Sequence, residues 1–150
     1  SGFLTVICND ATQDRAQTAV FTGTPEESSF ADALTNADYT TRINVANASK
    51  LIVGVEAAAA SSSALRINVR LSNLGDPSLT TAGDWFRQLA SLPYSAGKFE
   101  LDFAQYELAS TLLSTGSKVF FEIPVAANWA NLVLHNAHSG SNIKIYVDVA

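Results

Sequence analysis

Apolar and polar residues alternate with a period of two over three stretches of the chain. Residues 64–72, 98–103 and 142–150 read ALRINVRLS, KFELDF and NIKIYVDVA. Successive side chains of a strand point to opposite faces, so this pattern predicts strands with one face in a core and one in water. We therefore expect half-buried strands at all three places.

Other segments are apolar on both faces and predict strands inside a sheet. The clearest are residues 3–8 (FLTVIC), 50–56 (KLIVGVE) and 118–125 (KVFFEIPV). Pro124 cannot donate to a ladder, so the third strand should end there or lie at a sheet edge. Residues 16–22 and 41–46 predict two more strands, and residues 131–137 precede the last one.

The helical signal is confined to connections. Thr24, Pro25 and Glu27 form a capping-box pattern that predicts one short helix over residues 25–34. A further turn or two is expected after Asp84, and another in residues 104–114. These helices lie between strands and do not form a layer of their own.

About eight short strands separated by Gly, Pro and Ser breaks are typical of an all-β sandwich. We predict one domain over residues 1–150, built as a two-sheet antiparallel β-sandwich with one or two short helices in its connections. A jelly roll is the favoured form, because the long connections suit its crossovers.

The composition limits the classes of partner that the protein can have. The chain has 150 residues, of which 47% are hydrophobic and 15% charged, with a net charge of −5. Its nine basic residues are scattered, so it lacks the basic face that nucleic acid requires. No apolar stretch reaches the ~18 residues of a membrane span, so we expect no membrane partner. Cys8 is the only cysteine, which excludes an intrachain disulfide.

Both histidines lie near the end of the chain, at His135 and His138. A zinc site needs three or four ligands. Besides the two histidines, the chain offers the thiol of Cys8, which is far from them in sequence. Residues 135–142 (HNAHSGSN) have the composition of a hairpin loop. We interpret this region as the last hairpin, with His138 at its tip, and expect no metal and no cofactor.

Catalytic patterns are also missing from the sequence. No G-x-S-x-G elbow occurs, and spacing singles out no serine as a partner for His135. Glu100 and Asp102 lie on one face of a predicted strand, which is more often a solvated surface than a glycosidase pair. We therefore expect a protein that is not an enzyme.

Aromatic residues are candidate contact points. Trp85, Tyr94 and Trp129 lie in connections or near strand ends. Exposed rings would stack on sugars or anchor a protein interface. The alternative, which we favour for both tryptophans, is that they close the ends of the sandwich, because large aromatic residues are usually mostly buried.

A polar stripe on one strand completes the candidate surface. Arg66, Asn68 and Arg70 alternate with apolar residues in the 64–72 segment. They would face either a carboxylate of a neighbouring subunit or water, and water is the commoner case. The candidate interface set is Trp85, Tyr94, Trp129, Arg66, Arg70 and His138.

Residues 116–150 (GSKVFFEIPVAANWANLVLHNAHSGSNIKIYVDVA) resemble the closing strands of small β-sandwich proteins that decorate or cement tailed-phage heads. In those proteins a strand ends at a proline, a loop follows, and a terminal hairpin completes a sheet. The resemblance implies a virion structural protein, assembled in the host cytoplasm, without catalytic residues. Its partners would be itself, with a trimer favoured, and a capsid protein whose lattice it stabilises.

The alternative class is a carbohydrate-binding module of the β-sandwich type. Such modules are jelly rolls of this length, acidic, and equipped with exposed Trp and Tyr. Exposed, coplanar rings at Trp85 and Trp129 would favour this alternative, whereas self-association would favour the decoration protein.

Overall fold

β-Strands form almost all of the regular structure in the computed structural model, which describes residues 19–24, 38–91, 100–135 and 142–150. The strands are β1 (Ala19–Gly23), β2 (Asp38–Tyr39), β3 (Ile43–Asn44), β4 (Lys50–Ala57), β5 (Leu65–Ser72), β6 (Phe86–Arg87), β7 (Leu89–Ser91), β8 (Leu101–Phe103), β9 (Gln105–Leu108), β10 (Lys118–Pro124), β11 (Trp129–His135) and β12 (Ile143–Val149). The helical elements of these residues are two 3-10 turns, Ala82–Asp84 and Ser110–Leu112.

The long strands pair antiparallel in two sheets. The first sheet has the order β1-β12-β4-β10, and β10 ends at Pro124 on an edge of it, as predicted. The second has the order β2-β11-β5-β6, with β3 also paired to β11 and β9 also paired to β5. Strands β7 and β8 form a separate two-stranded ribbon. The prediction of an all-β antiparallel sandwich is therefore confirmed.

The inner faces of the two sheets enclose an apolar core. Every second residue of β4 is buried, which is the period-two pattern expected of a strand with one covered face. Each fully buried aliphatic side chain contributes roughly 1.5–3 kcal/mol relative to an exposed one. Buried members from the four central strands are Leu51, Val53, Val55, Leu65, Ile67, Val69, Leu132, Leu134, Ile143 and Ile145.

The predicted closing hairpin is wrong. β11 pairs with β2, β3 and β5, whereas β12 pairs with β1 and β4, so the two strands lie in different sheets. Alternation shows which side chains face the core, but it does not show which strand lies alongside. Residues 116–150 thus lack the terminal hairpin that the resemblance to decoration proteins included.

The helical turn predicted after Asp84 is wrong, and the one predicted within residues 104–114 is found only at Ser110–Leu112. After the single turn Ala82–Asp84 the chain forms β6 and β7, and within residues 104–114 it forms β9 before the turn Ser110–Leu112. Isolated helices shorter than ~12–15 residues are marginal, while the edge of β5 offers backbone partners to both segments. Pairing along that edge therefore overrides weak helical propensity.

Several predictions fall on residues outside the described ranges. These are the strand at 3–8 with Cys8, the helix at 25–34, and the side chains of Tyr94 and His138. Of the strand predicted at 16–22, the described part begins at Ala19 and continues to Gly23.

Candidate functional site

The ribbon of β7 and β8 leaves the second sheet at the edge of β5. At its base the Gln88 backbone N–H donates to the Val69 carbonyl (3.0 Å), and the Gln88 carbonyl accepts from the Ala104 N–H (2.9 Å). The Gln88 side chain donates to the Pro124 carbonyl of the first sheet (2.8 Å). The base of the ribbon is therefore fixed to both sheets, while its strands pair only with each other among the described residues.

One face of the ribbon is apolar and uncovered. Leu89 pairs directly with Phe103, and Leu101 lies two residues from Phe103 on the same face. Their exposed fractions are 47% for Leu89, 49% for Phe103 and 61% for Leu101. The sequence predicted a core-facing row in residues 98–103, and that prediction is wrong for Leu101 and Phe103, because no second layer packs over this part of the described chain.

Arg87 connects the ribbon to the sheet. Its guanidinium carbon lies 3.3 Å from the centroid of the Phe103 ring. Burial lowers the pKa of Arg87, and the charge of Asp102 acts in the opposite direction. The cation thus covers one side of the Phe103 ring and holds it in place.

A polar cluster, Asn68, Arg70 and Asn131, lies on the outer face of the second sheet. Arg70 and Asn131 are direct cross-strand neighbours, and Asn68 is two residues before Arg70 on β5. Their exposed fractions are 3% for Asn68, 4% for Arg70 and 0% for Asn131. The polar stripe expected to face water is therefore buried at Asn68 and Arg70.

Several hydrogen-bonding groups of the polar cluster have no partner in the part of the chain that the structure describes. The Arg70 Nε donates to the Asn131 Oδ1 at 3.1 Å. Among the described residues, both amide atoms of Asn68, the Arg70 Nη2 and the Asn131 Nδ2 are buried and make no hydrogen bond. Buried polar groups without partners are uncommon, and each costs roughly 1–3 kcal/mol.

Two aromatic rings flank the guanidinium of Arg70. Its Cζ lies 5.6 Å from the ring centroid of Tyr39 and 5.6 Å from that of Trp85. The Trp85 Nε1 donates to the Ser78 carbonyl at 2.7 Å, which fixes the indole. Burial lowers the pKa of Arg70 to about 10, and the charge interaction with Tyr39 offsets only part of this effect.

The other candidate residues are distributed over the same sheet. Trp85 is buried beside Arg70 and Trp129 is half-buried under Arg42, whose Cζ lies 4.4 Å from the ring centroid. Arg66 is half-buried opposite His135 on one side and Glu107 on the other. Neither tryptophan therefore presents a free, exposed ring.

His135 is fully buried at the end of β11. No group of three or more His, Cys, Asp or Glu side chains within the described ranges is placed to hold a metal ion. The sequence did not single out Asn131 or Tyr39. The one signal for Asn131 is its outward position in the otherwise apolar segment 131–134 of β11.

The outer face of the first sheet carries a second aromatic feature. Phe120 of β10 and Tyr146 of β12 both pair with Gly54 of β4, which lies between them. Phe120 is largely exposed, and the Tyr146 hydroxyl donates to the Glu56 Oε2 at 3.2 Å. Gly54 thus lies between two aromatic residues, and Tyr146 packs close to it.

Comparisons with protein-family models, curated proteins and solved structures find no significant match to the chain. Within the described ranges, no helix has the length and hydrophobicity needed to cross a membrane. The ribbon, the polar cluster and the strand order are therefore the features of the molecule that bear on function.

Proposed function

We infer that the sandwich is a jelly roll. If β2 with β3, and β6 through β9, each count as one strand position, the described residues form eight positions in order along the sequence. The first sheet then follows 1-8-3-6 and the second 2-7-4-5. This order supports a jelly roll, a fold that recurs in viral capsid and lectin domains.

We propose that the protein is a non-enzymatic virion structural protein of the capsid decoration type, acting through contacts between its own copies and with a capsid lattice. The observation that carries this proposal is the exposed apolar face of the ribbon, formed by Leu89, Leu101 and Phe103. A two-stranded ribbon is marginally stable by itself, so covering this face stabilises both the ribbon and the contact.

A second copy of the chain is the partner that fits this face. The three side chains carry no charge, so two copies can approach although each chain has a net charge of −5. In a closed oligomer every subunit contact contains the same residues. The apolar area that is buried therefore increases with the number of subunits. The ribbon face would form the centre of a contact, with the polar residues around it as its rim.

The capsid partner is supported by the jelly-roll order and by the low share of charged residues. A surface with few charges costs less to desolvate against a lattice. Virion location follows from the same proposal.

Light scattering on a sizing column tests self-association. We expect a mass above that of one 15.9 kDa chain, decreasing on dilution. Leu101→Asp should shift the protein to monomers, whereas Leu112→Asp should not, because Leu112 is similarly exposed (46%) but lies outside the ribbon. A concentration-independent monomer, or equal behaviour of both variants, would contradict the proposed contact.

Co-sedimentation with expanded tailed-phage heads stripped of their decoration protein tests the capsid partner. We expect saturable binding at a fixed ratio to the capsid subunit, weakened by Leu101→Asp. Self-association without head binding would retain the assembly function and reject the capsid partner.

A carbohydrate-binding module remains the second candidate, and the exposed Phe120 ring beside Gly54 is the observation that favours it. Aromatic side chains stack on sugar rings. A glycan array probed with the wild type and Phe120→Ala tests this candidate. A specific signal lost in the variant would make it the leading function, and an empty array would remove it.

A further inference from the structure

The polar cluster contains three donor groups, on one small area of the second sheet, that have no partner among the described residues. They are the Arg70 Nη2, the Asn68 Nδ2 and the Asn131 Nδ2. Asn131 lies directly across from Arg70, and Asn68 lies diagonally across from Asn131, so the three side chains are near neighbours. An oxygen ligand bound here would supply the acceptor that these three neighbouring donors lack among the described residues.

The charge at this site is not balanced within the described residues. Within the described ranges, no carboxylate forms an ion pair with Arg70. Arg87 lies directly opposite Arg70 on the neighbouring strand, but the charge of Asp102 acts on it, so Arg70 is the cation that the site leaves to a ligand. A buried guanidinium without a carboxylate is costly, and an anionic ligand removes that cost.

We propose that the polar cluster binds a small organic carboxylate, held by the Arg70 guanidinium and the side-chain amides of Asn68 and Asn131. A carboxylate offers two oxygens with about four acceptor positions, enough for the three donor groups. Being a monoanion, it neutralises one guanidinium, whereas a phosphate dianion would leave excess buried charge. The Tyr39 and Trp85 rings beside Arg70 provide apolar walls that suit a carbon-containing anion.

Trp85 provides a local signal for binding. The chain has two tryptophans, so Trp129→Phe leaves Trp85 as the single indole, next to Arg70. In this background we would titrate sodium acetate and sodium propionate, and compare sodium chloride and sodium phosphate at equal ionic strength. We expect a saturable change in Trp85 fluorescence with the two carboxylates, and a weaker or linear one with the inorganic anions.

Three variants connect that signal to the cluster. Arg70→Lys keeps a charge but loses the planar fork, and we expect it to raise the Kd for acetate at least tenfold. Asn131→Asp supplies a carboxylate from within the chain, so it should raise the Tm and abolish the acetate response, even if Arg70→Lys fails to fold. The control Arg42→Lys, in the connection between β2 and β3, should leave the Kd within about twofold.

The result that would overturn the proposal is a titration without saturation, or one in which chloride and phosphate act as strongly as acetate. Either outcome would indicate an adventitious ion only. A response unaffected by both Arg70→Lys and Asn131→Asp would also reject the site. These readouts use dilute protein and are independent of self-association through the ribbon.

Discussion

Replacing Asn68 with valine should stabilise the protein in buffer free of carboxylates. Asn68 is buried in the middle of β5, and both atoms of its amide lack hydrogen-bond partners among the described residues. Its cross-strand neighbour on β11 is Val133, so an apolar side chain has an apolar contact there. The variant removes two buried polar atoms and places valine, a residue with high strand propensity, in β5.

The expected gain follows from those two contributions. Removing an unsatisfied buried polar group recovers about 1–3 kcal/mol. For a chain of this length 1 kcal/mol shifts the Tm by about 2–4 °C, so the rise should lie at about 2–12 °C. The higher strand propensity of valine contributes part of this rise in Tm. Gln105→Val measures that part, because Gln105 pairs directly with Asn68 but is exposed.

Urea unfolding followed by tryptophan fluorescence, together with calorimetry, provides the measurement. Asn68→Val should raise the unfolding midpoint with an unchanged slope, and Gln105→Val should raise it less. A destabilised Asn68→Val variant would refute the reasoning, since it would mean that the amide makes hydrogen bonds worth more than its burial costs.

Other expectations concern the first sheet and the core. Gly54→Ala should gain about 0.5–1 kcal/mol, because its new Cβ would meet Tyr146 at an ordinary 3.5 Å. Gly116→Ala should lose about 1–2 kcal/mol, because Gly116 has a φ of 80°; urea unfolding of both variants checks the opposite signs. Burial and the bond to Glu56 raise the pKa of Tyr146. A difference titration at 295 nm between the wild type and Tyr146→Phe should therefore have its midpoint above the ordinary value near 10. Glu56→Gln should lower that midpoint. Because the folded state holds this proton more tightly than the unfolded state, the contribution of Tyr146 to stability is lost as pH rises through its folded pKa. Leu134→Ala should cost about 2–5 kcal/mol in the same urea assay, and a smaller loss would indicate that the core collapses around the cavity.

Period-two alternation was sufficient to predict β5, β12 and the sandwich, because a one-residue shift of a strand would turn its apolar side chains outward. The neighbours of β11 and β12 were not predictable in this way. Pairing between strands far apart in sequence depends on the whole fold, and the apolar pattern is the same whichever strand lies alongside.

The candidate site was only partly predictable. Arg66, Asn68 and Arg70 were recognised as one stripe, but Arg70 lies beside Trp85 and Tyr39, which come from other parts of the chain. The apolar pattern of residues 98–103 was also recognised and assigned to the core. Sequence periodicity measures which face is apolar, and it carries no information on whether that face is covered by the same chain or by another.

The exposed face of the ribbon is the feature on which the proposed assembly depends, and Leu101 contributes its most exposed side chain. Fully burying a leucine is worth roughly 1.5–3 kcal/mol, so covering the 61% that is exposed is worth about 0.9–1.8 kcal/mol. A two-fold contact buries two copies, which amounts to about 1.8–3.7 kcal/mol, or roughly a 20- to 400-fold change in Kd.

Sedimentation equilibrium on the wild type, Leu101→Asp and Leu112→Asp tests this claim most directly. We predict a concentration-dependent oligomer for the wild type, a Kd at least about 20-fold weaker for Leu101→Asp, and an unchanged Kd for Leu112→Asp. A wild-type protein that stays monomeric across the series, or an oligomer that Leu101→Asp leaves intact, would contradict the account.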